Sequence, residues 1–329
     1  NFEWVLGMYA YPTYGRFDPT FIMSIFYFFI FGLMFADVGY GLILTLGGFI
    51  GAKLMGKKAN LYNMLMMFGY CGISCMIMGV LFGAYFGDLP LTVMRNMMGM
   101  TEAELPNLAL IRPESPTLAV LLDPVSSPME FLIISLGIGG VHLIAGMAVK
   151  FVILCRDGQV VDAICDIGFY WVLFAGIGVM ALGYGWYVLA AGAGLIVLTH
   201  GRAEKNPLMK VAKGLLGLYD LINFASDLLS YSRILALGLA AGVVAQVVNI
   251  LATIGGPSVG GFVLMVVVGL IGHLLNLALN VLGTFVHTSR LQYIEFFGKF
   301  YEDGGRRFTA VAPCEKYSLD ESPADVPGQ

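Results

Sequence analysis

Apolar residues fill six long runs, at about 20–54, 61–86, 129–154, 163–199, 213–253 and 260–302, with short polar stretches between them. An α-helix rises ~1.5 Å per residue, so about 20 apolar residues cross a hydrocarbon core of roughly 30 Å. The first run is about 35 residues long and is interrupted by Ala36-Asp37-Val38-Gly39-Tyr40-Gly41. The fourth, about 37 residues, is interrupted by Gly183-Tyr184-Gly185. Each of these two reads as a pair of shorter spans, which gives eight in all. The last two runs exceed 20 residues by a wide margin, so those helices must tilt strongly or project from the bilayer. The fold class expected is an all-α polytopic membrane protein of about eight transmembrane helices, the last two long and strongly tilted.

The polar stretches set the remaining organisation. Residues 1–19 form a pre-membrane segment without a signal-peptide layout, read as the end of a missing N-terminal cytoplasmic domain. Residues 20–302 form the transmembrane domain, with an external loop at 88–127 that carries five prolines and one short helix. Residues 303–329 read as a cytoplasmic C-terminal tail, polar and disordered. Basic residues support this orientation: Lys53/57/58, Lys150/Arg156, Arg202/Lys205/Lys210/Lys213 and Lys299/Arg306/Arg307/Lys316 all fall on one side, and only Arg95 and Arg112 on the other. A single crossing over 20–54 with an external N-terminus leaves the same charge pattern, so charge does not decide between one and two crossings there.

Composition sharpens the class. The chain is 58% hydrophobic and 12% charged, about half the charge of a soluble domain. Its five cysteines match no metal or disulfide spacing, and most read as small buried apolar groups. No P-loop spacing is present, so the chain is not expected to hydrolyse ATP. No cofactor or nucleic-acid partner is implied.

Against this background two arginines stand out. Arg233 sits inside LLSYSRILALGL at 228–239, and Arg290 recurs in the last run. A guanidinium keeps its charge and offers five donors and no acceptor. At the bilayer centre it costs about 2.5–3.5 kcal/mol on the insertion scale, so it faces a partner or a water-filled cavity. In the last run Gly269, His273, Asn276, Asn280, Gly283, His287 and Arg290 follow steps of 4, 3, 4, 3, 4 and 3, one face of a helix. Upstream of Arg233 lie Asp220, Asn223, Ser226, Asp227 and Ser230; downstream the run is small and apolar until Gln246 and Asn249. Polar residues at membrane depth are tolerated where they line an aqueous cavity. The pattern implies two offset half-channels that meet at a fixed positive charge. A carboxylate on another subunit would pair with that charge, release its ion and reload. Polar contacts between helices are the plainer explanation of such a stripe.

At these residues the chain resembles the membrane domain of subunit a (subunit I) of V/A-type rotary ATPases, in its prokaryotic branch. FDPTFIMSIFYFFIFGLMFADVGYG (17–41), SYSRILALGLA (230–240) and FVHTSRLQYIEFFGKFYEDGGRRF (285–308) carry the resemblance. It implies a multi-pass cell-membrane stator subunit with both termini cytoplasmic, whose two half-channels and essential arginine, matched by Arg233 with Arg290 as the second arginine, serve H⁺ or Na⁺ exchange on carboxylates of a rotating c ring. The ring would lie against helices 213–253 and 260–302, and the missing domain would contact peripheral-stalk and central-stalk subunits. The cytoplasmic half-channel would use Asp220, Asn223, Ser226, Asp227, Ser230 and Glu295. The external one would use His273, Asn276, Asn280, His287, Asp37, Asp88 and His142. This chain has Asn280 and Ala241 where eukaryotic members have glutamate and histidine, so its external half-channel must use other groups. A self-contained secondary transporter or channel is the alternative, favoured by any inverted repeat with broken helices; the DVGYG and GYG interruptions hint at one, but their flanks do not match.

Overall fold

The computed structural model describes residues 2–13, 17–56, 61–101, 104–107, 118–181, 187–200 and 207–305. It is helical almost throughout. A short helix α1 (Glu3–Tyr9) and strand β1 (Tyr11–Pro12) precede α2 (Thr20–Met34), α3 (Val38–Met55) and α4 (Tyr62–Phe82). The loop region holds α5 (Leu89–Asn96), and α6 (Pro128–Arg156) follows. A turn of helix, α7 (Val160–Ala163), passes through a π-helical stretch, Ile164–Gly168, into α8 (Phe169–Ala181) and then α9 (Tyr187–His200). The chain ends in α10 (Pro207–Leu229), α11 (Ser232–Thr253), α12 (Val259–Arg290) and strand β2 (Asp303–Gly305). Among the described residues five segments are long and apolar enough to cross a membrane: α3, α4, α6, Tyr219–Thr253 and Val259–Lys299. The expected all-α polytopic class is what the structure has.

The break expected in the first run falls at Phe35–Asp37, between α2 and α3. Asp37 caps α3, its carboxylate accepting from Tyr40 N at 3.0 Å, as an N-cap aspartate does for an otherwise unpaired amide. The interruption at Gly183-Tyr184-Gly185 and the tail from residue 306 lie outside the described residues. Two expectations need correction. The run 213–253 is not one helix, because Ser230 and Tyr231 form a turn between α10 and α11. There the Ser230 hydroxyl donates to Ser226 O, and the backbone tightens to i→i+3 bonds such as Tyr231 N to Leu228 O at 3.1 Å. Serine back-bonding of this kind bends helices. The run 260–302 is α-helical only to Arg290; Leu291–Phe296 widens into a π-helix, and a 3₁₀ turn ends it at Lys299.

The core is centred on α2. Its last turns, Ile30, Phe31, Leu33 and Met34, are buried on every side, as a helix surrounded by others must be. Helices α4, α11 and α12 pack around it. Helices α3 and α4 approach closely through small residues, as membrane helices do where backbones touch. A methyl group on Gly48 would lie 2.7 Å from both Leu65 O and Gly69 Cα.

The first and last described segments meet at one end of the bundle. β1 pairs antiparallel with β2, Tyr11 opposite Gly305. Tyr293 Oη donates to Val5 O at 2.6 Å and Tyr301 Oη to Ala10 O at 2.7 Å. Tyr9 stacks on Tyr293 with centroids 4.9 Å apart. Burial first, then nearby Asp18, Tyr9 and Asp303, push the Tyr301 phenol up to about 12, which keeps it protonated as a donor.

Gly48→Val is expected to lower the thermal midpoint of the purified protein, at an overpacking cost of about 1–3 kcal/mol. Gly47→Ala, with nothing within 4 Å of the added carbon, is expected to leave it unchanged. Equal midpoints for the two variants would refute the close α3–α4 approach.

Candidate ion-translocation site

The site has two parts, one toward the loop end of the bundle and one around the arginines. At the loop end, α4 runs out into Phe86 and Gly87, both with positive φ (53° and 70°). The left-handed backbone is uncommon for phenylalanine. It aims successive amides at one point, an arrangement that holds anions. Asp37 occupies that point, accepting from Phe86 N at 3.1 Å and Gly87 N at 2.7 Å besides capping α3. Asp37 is thus a pivot joining α3 to the end of α4.

Next to it runs a continuous chain of side-chain hydrogen bonds. Asn249 Nδ2 donates to Phe86 O and Asp88 Oδ1, both at 2.9 Å, so its Oδ1 is left to accept from His273 Nε2 at 2.9 Å. The proton therefore sits on Nε2, and His273 Nδ1 accepts from Tyr40 Oη at 2.7 Å. Tyr40 Oη in turn accepts from Asn276 Nδ2 at 3.0 Å, and Asn276 Oδ1 from Asn280 Nδ2 at 2.6 Å. All these donors point the same way, from Asn280 toward Asp88. Bordering this chain at Tyr40 and Asp88, a cavity of about 180 Å³ opens among Asp37, Asp88, Arg95, Asp123 and Gln246. Its inner wall reaches Leu33, Gly238 and Ala241. Gly238 is five residues along α11 from Arg233, roughly 7–8 Å of helix rise.

Around the arginines, α11 and the end of α12 face each other. Arg233, partly buried, lies within electrostatic reach of Arg290, His287 and Glu295. Among the described residues neither arginine forms a salt bridge. Asp227 is neutralised instead by Lys299, whose ammonium also sits 5.5 Å from the Phe224 ring centroid. The π-helical stretch after Arg290 buries Gln292 and Glu295 together with Leu291 and Phe296. π-helical turns often occur at functional positions. The Ser230 hydroxyl stands beside the Glu295 carboxyl.

The expected residues distribute unevenly between these parts. His273, Asn276, Asn280 and Asp88 share one network, with Asp37 bound to the turn beside it. His142 does not join them. It lies in α6, fully buried, with Nδ1 2.7 Å from Tyr231 Oη and its ring stacked on Phe296 at 4.5 Å, in the arginine part. His287 also falls there, because the stripe descends past Asn280 to Arg290. Asp227, Ser230 and Glu295 come together near Arg233, while Asp220, Asn223 and Ser226 line an exposed face of α10. Sequence reasoning missed four linking residues: Tyr40, Asn249, Tyr231 and Gln292. Gln292 was visible as a polar residue two after Arg290. The two tyrosines gave no signal, because a tyrosine in an apolar run reads as core.

Tyr40→Phe removes the hydroxyl that joins His273 to Asn276. Leaving buried polar groups unpaired costs about 1–3 kcal/mol, so the thermal midpoint should fall although the ring is retained. An unchanged midpoint would mean that the hydrogen-bonded chain does not exist in solution.

No protein-family model matches the chain. Among curated proteins it is 33% identical to A-type ATP synthase subunit I of Methanocaldococcus jannaschii over 96% of this chain and 48% of that protein. For the protein of the same name from Pyrococcus horikoshii the identity is 33%, over 97% of this chain and 46% of that one. With V-type ATP synthase subunit I of Chlamydia trachomatis it is 24%, over 92% and 53%. The chain spans about half the length of the curated relatives it matches. It is a homologue of subunit I of the A- and V-type ATP synthases, matched over nearly all of its own residues and about half of theirs.

Proposed function

We propose that this chain is the membrane stator of a rotary, ATP-coupled H⁺ or Na⁺ motor, working by electrostatic gating without covalent chemistry. The observation that carries the reading is the pair Arg233 and Arg290. They stand on facing helices with no salt bridge to either among the described residues, and separate polar sets lie toward the two ends of the bundle. A fixed positive charge between two half-paths passes no cation straight through. It attracts a carboxylate arriving on a neighbouring subunit, favours that group's ionised form and so promotes release of its ion. Beyond the arginine, desolvation favours the neutral or ion-loaded carboxyl, which reloads from the other half-path. Moving one charge through the full potential supplies ~2.3 kcal/mol per 100 mV.

In this reading the half-path toward the joined end segments is cytoplasmic and uses Asp220, Asn223, Ser226, Asp227, Ser230 and Glu295. The external one uses the loop-end cavity with Asp37 and Asp88 and the stripe His273, Asn276, Asn280 and His287. His142, through Tyr231, belongs with the arginines and not with the external set. The partner is a ring of proteolipid subunits bearing carboxylates. It would pack on the exposed apolar faces of α11 and α12, where Val247, Ile250, Leu270, Leu274 and Leu282 are half or more exposed, or nearly so. Stalk subunits would bind the rest of the polypeptide, and ATP would be handled on other subunits. The protein would reside in the cell membrane.

The test is Arg233→Ala in the assembled complex in vesicles. ATP-driven ion uptake is expected to fall at least about a hundredfold, equivalent to roughly 2.7 kcal/mol, with assembly retained. Uptake near the parental rate would overturn the assignment. Parallel assays with ²²Na⁺ and a pH-sensitive dye identify the ion.

A further inference from the structure

Most of the unpaired buried polar atoms of the described residues collect in one place. Gln292 Nε2 and Oε1, Glu295 Oε2, His142 Nε2, His287 Nδ1 and Arg233 Nη1 have no well-formed hydrogen bond within the chain, although Gln292 stands against His142. Gln292 and His142 are fully buried, and Glu295 is 2% exposed. Orphaned buried polar groups are rare in native proteins, because each costs about 1–3 kcal/mol. Five such residues that neighbour one another in turn, His142 with Gln292 and Phe296, Arg233 with Glu295 and His287, indicate a site that something else completes.

The chemistry of these atoms selects the occupant. Gln292 presents a donor and an acceptor, Glu295 an acceptor, and Arg233 a donor. A bare cation uses oxygens only and is repelled by a guanidinium. An anion is repelled by Glu295. Water satisfies donors and acceptors together, commonly with about three hydrogen bonds per buried molecule. His142 and Tyr231 back the site from α6 and the turn before α11, and the Phe26 and Phe296 rings cover His142 at centroid distances of 4.3 and 4.5 Å.

We propose that His142, Gln292 and Glu295, beside Arg233, enclose an ordered-water site, with Gln292 as the residue that positions the water. The site hydrates the guanidinium from behind, inside the bundle, leaving its other face to the approaching carboxylate. That role rests on the stator reading; the water site itself does not.

The experiment is hydroxyl-radical labelling of the intact wild-type complex by a short X-ray pulse, read by mass spectrometry. Radicals form from water where it sits, so buried aromatic residues beside ordered water are oxidised. Tyr231 and Phe296, both fully buried, are expected to be labelled, whereas the equally buried Tyr27 and Phe31, in contact with each other on α2, remain unlabelled. Protection of Tyr231 and Phe296 to the level of Tyr27 and Phe31 overturns the proposal. Gln292→Leu keeps the bulk and removes both polar atoms, so labelling of Tyr231 should drop to the Tyr27 level, with Gln292→Asn restoring part of it. Persistent labelling in Gln292→Leu removes Gln292 from the site. Labelled Tyr231 in a complex that pumps no ions would refute the stator reading alone. Protected Tyr231 in a pumping complex would refute the water site alone.

Discussion

The rest of this structure depends on a charge that cannot be shed. A lysine or histidine at membrane depth escapes its desolvation cost by losing a proton, whereas a guanidinium at any physiological pH does not. Arg233 must therefore be solvated by what surrounds it, and the surroundings show that requirement. The turn at Ser230–Tyr231 interrupts the helix just before it, the π-helical stretch after Arg290 brings Gln292 and Glu295 inward, and α6 contributes a histidine. The first two depart from regular α-helix.

The loop end meets a different constraint, rigidity. Asp37 ties three backbone amides, and Asn249, His273, Tyr40, Asn276 and Asn280 bind one another in a fixed donor sequence. These contacts lock α3, α11 and α12 together where α12 otherwise exposes much of its apolar surface. The cavity beside them, lined by Asp88, Arg95 and Gln246, touches the same network at Tyr40. Polar residues on α12 thus divide their work between holding the helix in place and, near Arg290, meeting the arginine cluster.

Much of the architecture was legible in the sequence because hydrophobic run length and helical spacing are local properties. The break at Asp37, the short helix in the proline-containing loop and the face shared by His273, Asn276 and Asn280 all follow from them. What stayed hidden depends on partners distant in sequence. The turn at Ser230 arises from a back-bond that serine forms only in some settings, and nothing in SYSRILA separates a bent helix from a straight one. His142 reads as one more polar residue in a span until Tyr231, 89 positions away, is seen to hold it. Tyr40 offered no pattern at all, since its hydroxyl matters only because His273 and Asn276 converge on it.

The joined end segments bear on how the molecule is made. β1 meets β2 across nearly the whole chain, with Thr13 Oγ1 donating to Asp303 O 290 positions later. Tyr293 and Tyr301 bind the carbonyls of Val5 and Ala10 across similar separations. Residues 2–13 precede every helix from α2 on, yet the strand and the tyrosines that bind their backbone do not exist until residues 293–305 have emerged. The closure therefore waits until every helix between the two strands has been made. A chain stopped short of residue 291 would carry both Arg233 and Arg290 but lack strand β2, Tyr293 and Tyr301, which bind the backbone of residues 5–12.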